Sequence, residues 1–389
     1  MGPRILLFGG IQEVGRHVLA HLVDQGVSND ILVLDFKHPE TAHLSSRHRK
    51  LLDLVRFEQM DLGDEGKVRR AFDRTDGQGW DFVINACTEM EYALTDGQYR
   101  RRITRVAELT AREARARGCR AFIHLSYGMG FRYDASMGLS KEEDLREPRP
   151  SFIRGPSVVD AEKAVRIPGL PVVILRYAEL YGTDITFGIA CNIPFFRICS
   201  YLGDPLNTFS HPLSKMNTVQ VHDIARATWH VCQWKSRCVF GEGKVYTGGG
   251  RQAITGPDEM DVDLFHLADE SDTRLGDTFI TCGNACHATP NHPTKWVRAC
   301  MLSALRIKSI REAVNTRYHG VWTQMLREAG VDHSPFIPYI YSEQVIRFAL
   351  GMDGTRITRE TGFVYEYPRF TQMAMNDILK DWIDRRLLP

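Results

Sequence analysis

Short apolar runs alternate with longer stretches of helical hydrophobic spacing from residue 4 to residue 182. The first run, RILLFGG (4–10), ends in paired glycines, and VGRHVLAHLVDQG (14–26) follows with apolar residues at helical spacing and a closing glycine. That pattern predicts strand, turn and helix. DILVLDF (30–36), VRFEQMDL (55–62), WDFVINAC (80–87), CRAFIHLS (119–126) and LPVVILRYAELYG (170–182) read as the next buried strands. Between WDFVINAC and CRAFIHLS, a basic stretch (99–118) places Ile103, Val106, Leu109 and Thr110 on one helical face. Its arginines, interleaved with Glu108 and Glu113, fit a solvated face better than a nucleic-acid patch. Strands alternating with helices in this way imply an α/β fold, a doubly wound parallel sheet with its ligands at the carboxyl ends of the strands.

The later sequence is more mixed. TDITFGIACNIPFFRICSYLG (183–203) is apolar and aromatic, and VDLFHLADESDTRLGDTF (262–279) reads as polar loop or short helix. PTKWVRACMLSALRIKSIREAV (293–314) predicts one amphipathic helix, and FTQMAMNDILKDWIDRRL (370–387) another. At 389 residues the chain exceeds the size at which one core keeps growing, about 250 to 300 residues, so a second, smaller lobe is expected.

Charge narrows the partners. Lys and Arg number 49 against 48 Asp and Glu, a net charge of +1, so no global field recruits nucleic acid or a membrane surface, and a small molecule is the expected partner. No apolar run reaches the roughly 18 residues of a membrane span, and the first residues enter a strand without a charged leader, so a cytoplasmic protein is expected. Nine irregularly spaced cysteines suit reduced thiols. Cys282, Cys286, His287 and His292 fit no standard zinc spacing, and no metal is expected.

Several segments carry a resemblance: the glycine turn after the first strand, Asp35 ending the second, MDL with Asp61, VINAC with Asn85, LRYAELYG (175–182), VQVHDIARA (219–227) and DGTRITRETGFVYEYP (353–368). Together they resemble the extended short-chain dehydrogenase/reductase superfamily, which includes nucleotide-sugar epimerases, dehydratases and 3-beta-hydroxysteroid dehydrogenases. The resemblance spans nearly the whole chain. It implies a Rossmann-like core over 1–182 with 216–250, and a substrate-binding lobe over 183–215 with 251–389. It also implies NAD or NADP on Gly9, Gly10, Gly15, Asp35, Asp61 and Asn85, and a homodimer formed through helices. Asp35 fits a solvated strand cap equally well.

Against that pattern the chain departs at two places. The family's Gly-x-x-Gly-x-x-Gly falls on Gly9, Gln12 and Gly15, so a glutamine stands where a missing side chain should let the backbone approach a pyrophosphate. The family's serine or threonine after the fifth strand falls on Tyr127, beside Ser126. Its Tyr-x-x-x-Lys falls on Arg154 and Val158, and no tyrosine anywhere precedes a lysine by four. Arginine stays protonated and cannot exchange a proton, and valine has no charge with which to tune a neighbour.

What remains is a set of donors and one carboxylate. Tyr127, Arg154, Tyr177 and Glu179 are the candidate catalytic residues; Ser126, Tyr181, Phe187, Phe195, Phe196 and His222 are candidates for substrate binding. A fixed guanidinium beside phenols could polarise a carbonyl. The same residues also suit packing: Tyr177 and Tyr181 as core, Arg154 paired with Asp160 or Glu162, His222 as a helix cap, the phenylalanines as core between lobes. With only Arg197 as a cation, the stretch 183–203 fits a hydrophobic metabolite, such as a terpenoid or polyketide, better than a diphosphate. The expected function is a cofactor-independent cyclase, isomerase or lyase of secondary metabolism, including intramolecular cycloaddition. An NAD(P)-dependent epimerase, dehydratase or hydroxysteroid-type dehydrogenase with relocated acid/base residues is the first alternative, and a non-catalytic binding protein the second.

Overall fold

The computed structural model describes residues 2–133, 138–145, 149–240, 260–342, 344–345 and 349–389, with the side chain of residue 240 left aside. The expected lobe boundary at 250/251 lies outside them. The apolar runs become β1 (Ile5–Phe8), β2 (Ile31–Asp35), β3 (Arg56–Gln59), β4 (Phe82–Asn85), β5 (Ala121–Tyr127) and β6 (Val172–Tyr177). Beyond them come β7 (Glu179–Tyr181), β8 (Leu206–Asn207), β9 (Thr218–Gln220), β10 (Val262–Leu267) and β11 (Pro290–Asn291).

Seven strands form one parallel sheet in the order β10-β6-β5-β4-β1-β2-β3. The central strands are buried along their length because helices cover both faces, which is why they read as continuous apolar runs. Edge strand β3 is mostly exposed, and its sequence is correspondingly polar. The order reverses between β1 and β4, which flank each other with Phe8 beside Asn85. A crevice opens at that reversal, outside the carboxyl ends of the strands. In the basic stretch, a π-helical turn (Arg100–Thr104) runs into the helix Arg105–Arg117, and all four residues expected on its inner face are buried.

Two expectations are corrected. Residues 262–267, expected as polar loop or short helix in the smaller lobe, form strand β10 and pair with β6 from Val262 opposite Val172 to Leu267 opposite Tyr177. Asp263 and His266 had disguised the strand. Lys235, itself buried, donates to Asp263 at 2.7 Å, and His266 lies fully buried, where desolvation holds its pKa well below the usual value. The single helix expected over 293–314 is two, Lys295–Arg306 and Lys308–Glu328. They are split at Ile307, whose backbone is extended (φ −75°, ψ 115°) without a proline or glycine to announce it.

A second apolar cluster gathers Phe196 of the helix Ile193–Leu202 with Trp322, Phe336, Met375 and Trp382 from the C-terminal helices and their connections. Trp382 is fully buried with its ring 4.9 Å from Phe336. Among the described residues, no helix is long and apolar enough to cross a membrane.

Candidate functional site

The glycine turn keeps the shape the sequence promised. Gly9 has φ +76°, and a Cβ on Gly15 would stand 1.9 Å from the Gly9 carbonyl oxygen, so both positions require glycine. The turn's polar groups, however, are satisfied from within the chain. Asp35 is fully buried. Its carboxylate accepts the backbone N–H of Ile11 at 3.1 Å and of Lys37 at 3.0 Å. The Gln12 side chain reaches both Asp35 and Cys87. Burial raises the Asp35 pKa, and these donors oppose the rise.

Glu13, at the entrance to the helix Gly15–Asp24, turns its carboxylate to Thr186 and accepts from the backbone N–H and hydroxyl at 2.9 Å each. Arg16 is buried and donates back to the carbonyls of Ile11 and Ala42 at 3.2 and 2.9 Å. A pyrophosphate at this turn would meet an amide side chain where the family has a glycine, with the Glu13 carboxylate nearby. The turn therefore crowds a dinucleotide's phosphates more than the family's middle glycine does. The neighbouring groove fits its adenosine half better. Phe36, Met60, Asp61, Cys87, Arg101 and Arg102 line a space of about 1090 Å³ counted to its open mouth. Arg102 lies 4.9 Å over the Phe36 ring, and Arg101 pairs with Asp61. Asn85 is spent locally, accepting from the Cys87 N–H at 3.1 Å and facing His124 at 3.3 Å.

The second cluster forms where β5 and β6 end, with Tyr127 directly opposite Tyr177. Tyr127, Arg154 and Glu179 line one cleft with Tyr92, Met129 and Gln344. The Tyr127 hydroxyl donates to Glu179 Oε2 at 2.8 Å, and its ring lies 5.5 Å from that of Tyr177. Arg154, at the start of the helix Gly155–Ala164, is 4% exposed. Its guanidinium sits 4.6 Å over the Tyr92 ring and 5.9 Å over that of Tyr127, and Nη1 donates to the Glu89 carbonyl at 3.2 Å. It does not form the surface pair with Asp160 or Glu162 that its neighbours in sequence allowed.

Burial, and next the Glu179 carboxylate, push the Tyr127 phenol well above its usual pKa; Arg154 opposes them. Tyr177 is raised by burial against the pull of Thr88. Neither phenol ionises near neutral pH. The free interior of the cleft is only about 20 Å³, room for about one water.

Other expected residues lie elsewhere. Ser126 points to the opposite side of β5 and donates to Glu162 at 2.6 Å, and Glu162 holds Arg176 through bonds of 2.8 and 2.6 Å. It supports the core. Tyr181 is buried against Phe370, and His222 packs on His17 and Tyr367. Phe196 packs on Phe279, while Phe187 meets Tyr92 at the cleft's edge.

Phe195 lines a separate apolar cavity with Leu206, Phe209, Phe279, Met301 and Tyr318, about 850 Å³ counted to its mouth. Gln344 borders both this cavity and the Arg154 cleft. Glu13, Arg16, Tyr92 and Gln344 escaped the reading of the sequence. Of these only Glu13, an acid between Gln12 and Gly15, carried a signal there. Cys282 and Cys286 are buried in the second cluster, and among the described residues no group of His, Cys, Asp and Glu is arranged to hold a metal.

Comparison with solved structures returns the same fold. Bordetella bronchiseptica WbmG in complex with NAD and UDP matches with a TM-score of 0.62 at 14% identity, covering 100% of this chain and 97% of that one. The double mutant of DesIV, a dTDP-glucose 4,6-dehydratase from Streptomyces venezuelae, with NAD and DAU bound, gives 0.63 at 15%, covering 98% of each. Thermotoga maritima UDP-glucose 4-epimerase with UDP-glucose gives 0.61 at 15%, covering 98% and 99%. A search of curated proteins found no match. A sequence model described as the NAD dependent epimerase/dehydratase family matches residues 5–243, and the chain belongs to that family.

Proposed function

We propose that this family member is a non-redox enzyme, a cofactor-independent isomerase, cyclase or lyase acting on a small molecule with an apolar body and a carbonyl head. The observation that carries the reading is the convergence of Arg154, Tyr127 and Glu179 on one cleft from which the family's tyrosine–lysine pair has gone. Glu179 would take a proton from the carbon next to the carbonyl; the C–H pair becomes the carbon–carbon double bond of an enolate as the carbonyl π pair moves onto oxygen, where the Arg154 guanidinium stabilises the developing charge. Tyr127 orients the carboxylate through its hydrogen bond. Return of the proton at another carbon gives an isomer, departure of a group from the next carbon gives elimination, and attack by the enolate carbon closes a ring. The apolar cavity supports the substrate class, because it adjoins the cleft at Gln344, which borders both, and its walls suit a hydrophobic body. Charge separation in so small a space requires the head group to displace what little water the cleft holds.

The experiment is proton exchange in D2O. Candidate carbonyl compounds incubated with purified protein should gain carbon-bound deuterium without added nicotinamide, and Glu179→Gln should abolish the gain. Turnover that depends on added NAD or NADP, or stoichiometric nicotinamide released from the denatured protein, would sink the reading. That outcome would favour an NAD(P)-dependent epimerase or dehydratase, for which the groove at Phe36, Asp61 and Arg102 and the NAD-bound solved structures speak.

A further inference from the structure

The net charge of +1 conceals a local imbalance: residues 295–328 carry seven Lys and Arg against two Glu. Both acids are engaged, Glu312 by the Tyr339 hydroxyl at 2.8 Å and Glu328 by Gln324 at 2.9 Å and Tyr201 at 3.1 Å. Lys295, Arg306 and Lys308 are exposed. On the helix Lys295–Arg306, the first two share one flank of the outward face, about 90° around the axis from Trp296. Trp296 is 82% exposed, and Val297, Ile307 and Ile310 are exposed apolar neighbours along the chain. An indole and aliphatic side chains fringed by cations form the pattern of a helix lying in a bilayer interface, where tryptophan sits at headgroup depth and lysine and arginine meet anionic lipid. The inner side of the same helix pair supplies Met301 and Tyr318 to the apolar cavity.

We propose that the helix pair Lys295–Glu328 docks on an anionic lipid surface and sets the apolar cavity beside it. The surface carries the proposal independently of any chemistry at Arg154. Docking of this kind is peripheral and reversible, with the cations giving the attraction and the indole the depth.

The test is co-sedimentation of the full chain with phosphatidylcholine vesicles, with and without phosphatidylserine. Binding is expected only with phosphatidylserine and should fall as salt rises. The triple variant K295Q/R306Q/K308Q should weaken it about a hundredfold, each cation near an anionic surface being worth about fivefold. Brominated lipid should quench tryptophan emission in the wild type and quench W296F less. Thermal melts establish that the variants are folded. Absence of phosphatidylserine-dependent binding, or binding unchanged in both the triple variant and W296A, overturns the proposal. So does a wild-type dimer in light scattering that W296A splits and that binds no vesicles, which would assign this face to a second copy of the chain. Binding to double-stranded DNA without binding to vesicles would also overturn it.

Discussion

Replacing Gln12 with glycine should restore the family's phosphate turn, and the gain can be worked out from the contacts the side chain now makes. Its amide reaches the buried Asp35 carboxylate and Cys87. A dinucleotide that places its ribose on Asp35 must first displace that amide. An ordinary hydrogen bond contributes about 0.5–1.5 kcal/mol, which corresponds to roughly 2- to 12-fold in dissociation constant. Q12G should therefore bind NAD or NADP several-fold more tightly than the wild type, whose own binding is expected to be weak. Glu13 sets a further barrier that Q12G leaves in place, because its carboxylate stays at the entrance to the helix, bonded to Thr186; Q12G/E13Q should be tighter still. Titration calorimetry on the three proteins decides the matter, with the ligand-induced rise in melting temperature as a second readout. Wild-type binding in the low micromolar range, or equal affinity in wild type and Q12G, would refute the reasoning, since the glutamine would then swing aside without measurable cost.

Arg154→Ala should slow deuterium exchange by about 2–4 kcal/mol of transition-state stabilisation, the usual loss for one preorganised donor. Arg154→Lys should not restore it where the contact is bidentate; full activity in the alanine variant would remove Arg154 from the site. Ser126→Ala should leave the rate unchanged and lower stability in urea by about 1–3 kcal/mol, because Glu162 loses a buried donor; a selective loss of rate would return Ser126 to the active site. Glu142 is held protonated to higher pH than in the unfolded chain, its pKa raised to about 7 by burial against the pull of the His266 N–H. The native state thus binds the extra proton, and stability falls as pH rises from about 4.5 to about 7. Glu142→Gln should recover about 3 kcal/mol above pH 8 and nothing at pH 4, as read by paired melts at the two pH values; equal effects at both would show that the carboxyl is ionised throughout.

The parallel sheet was legible because burial on both faces leaves the same mark, a short continuous apolar run, in nearly every strand. Where the mark failed, a specific partner explains it. β10 carries Asp263 and His266 inside the sheet, and nothing near them in sequence announces that Lys235, on a helix that ends before the undescribed residues, will pair with the acid. The break at Ile307 was equally silent, since an extended backbone there needs no residue of special conformational freedom. Local pattern reports the side a residue faces, whereas a buried ion pair depends on a residue distant along the chain.

The same distinction divides the site. Tyr127, Arg154, Tyr177 and Glu179 could be picked out because each stands at a strand end or helix start, and those ends are fixed by the topology. Ser126 shows how sharply that knowledge cuts. One residue from Tyr127 on β5, it must point to the other face of the sheet, where Glu162 and Arg176 wait. The strand's alternation sends the two hydroxyls to different partners, Tyr127 to Glu179 and Ser126 to Glu162, although both residues line a second small pocket with Arg154. Tyr92 and Gln344 enter from segments with no regular spacing, so their arrival over Arg154 and at the mouth of the apolar cavity was beyond any periodic reading. They border a cleft whose free interior holds about one water, and Gln344 also borders the apolar cavity beside the helices Lys295–Arg306 and Lys308–Glu328.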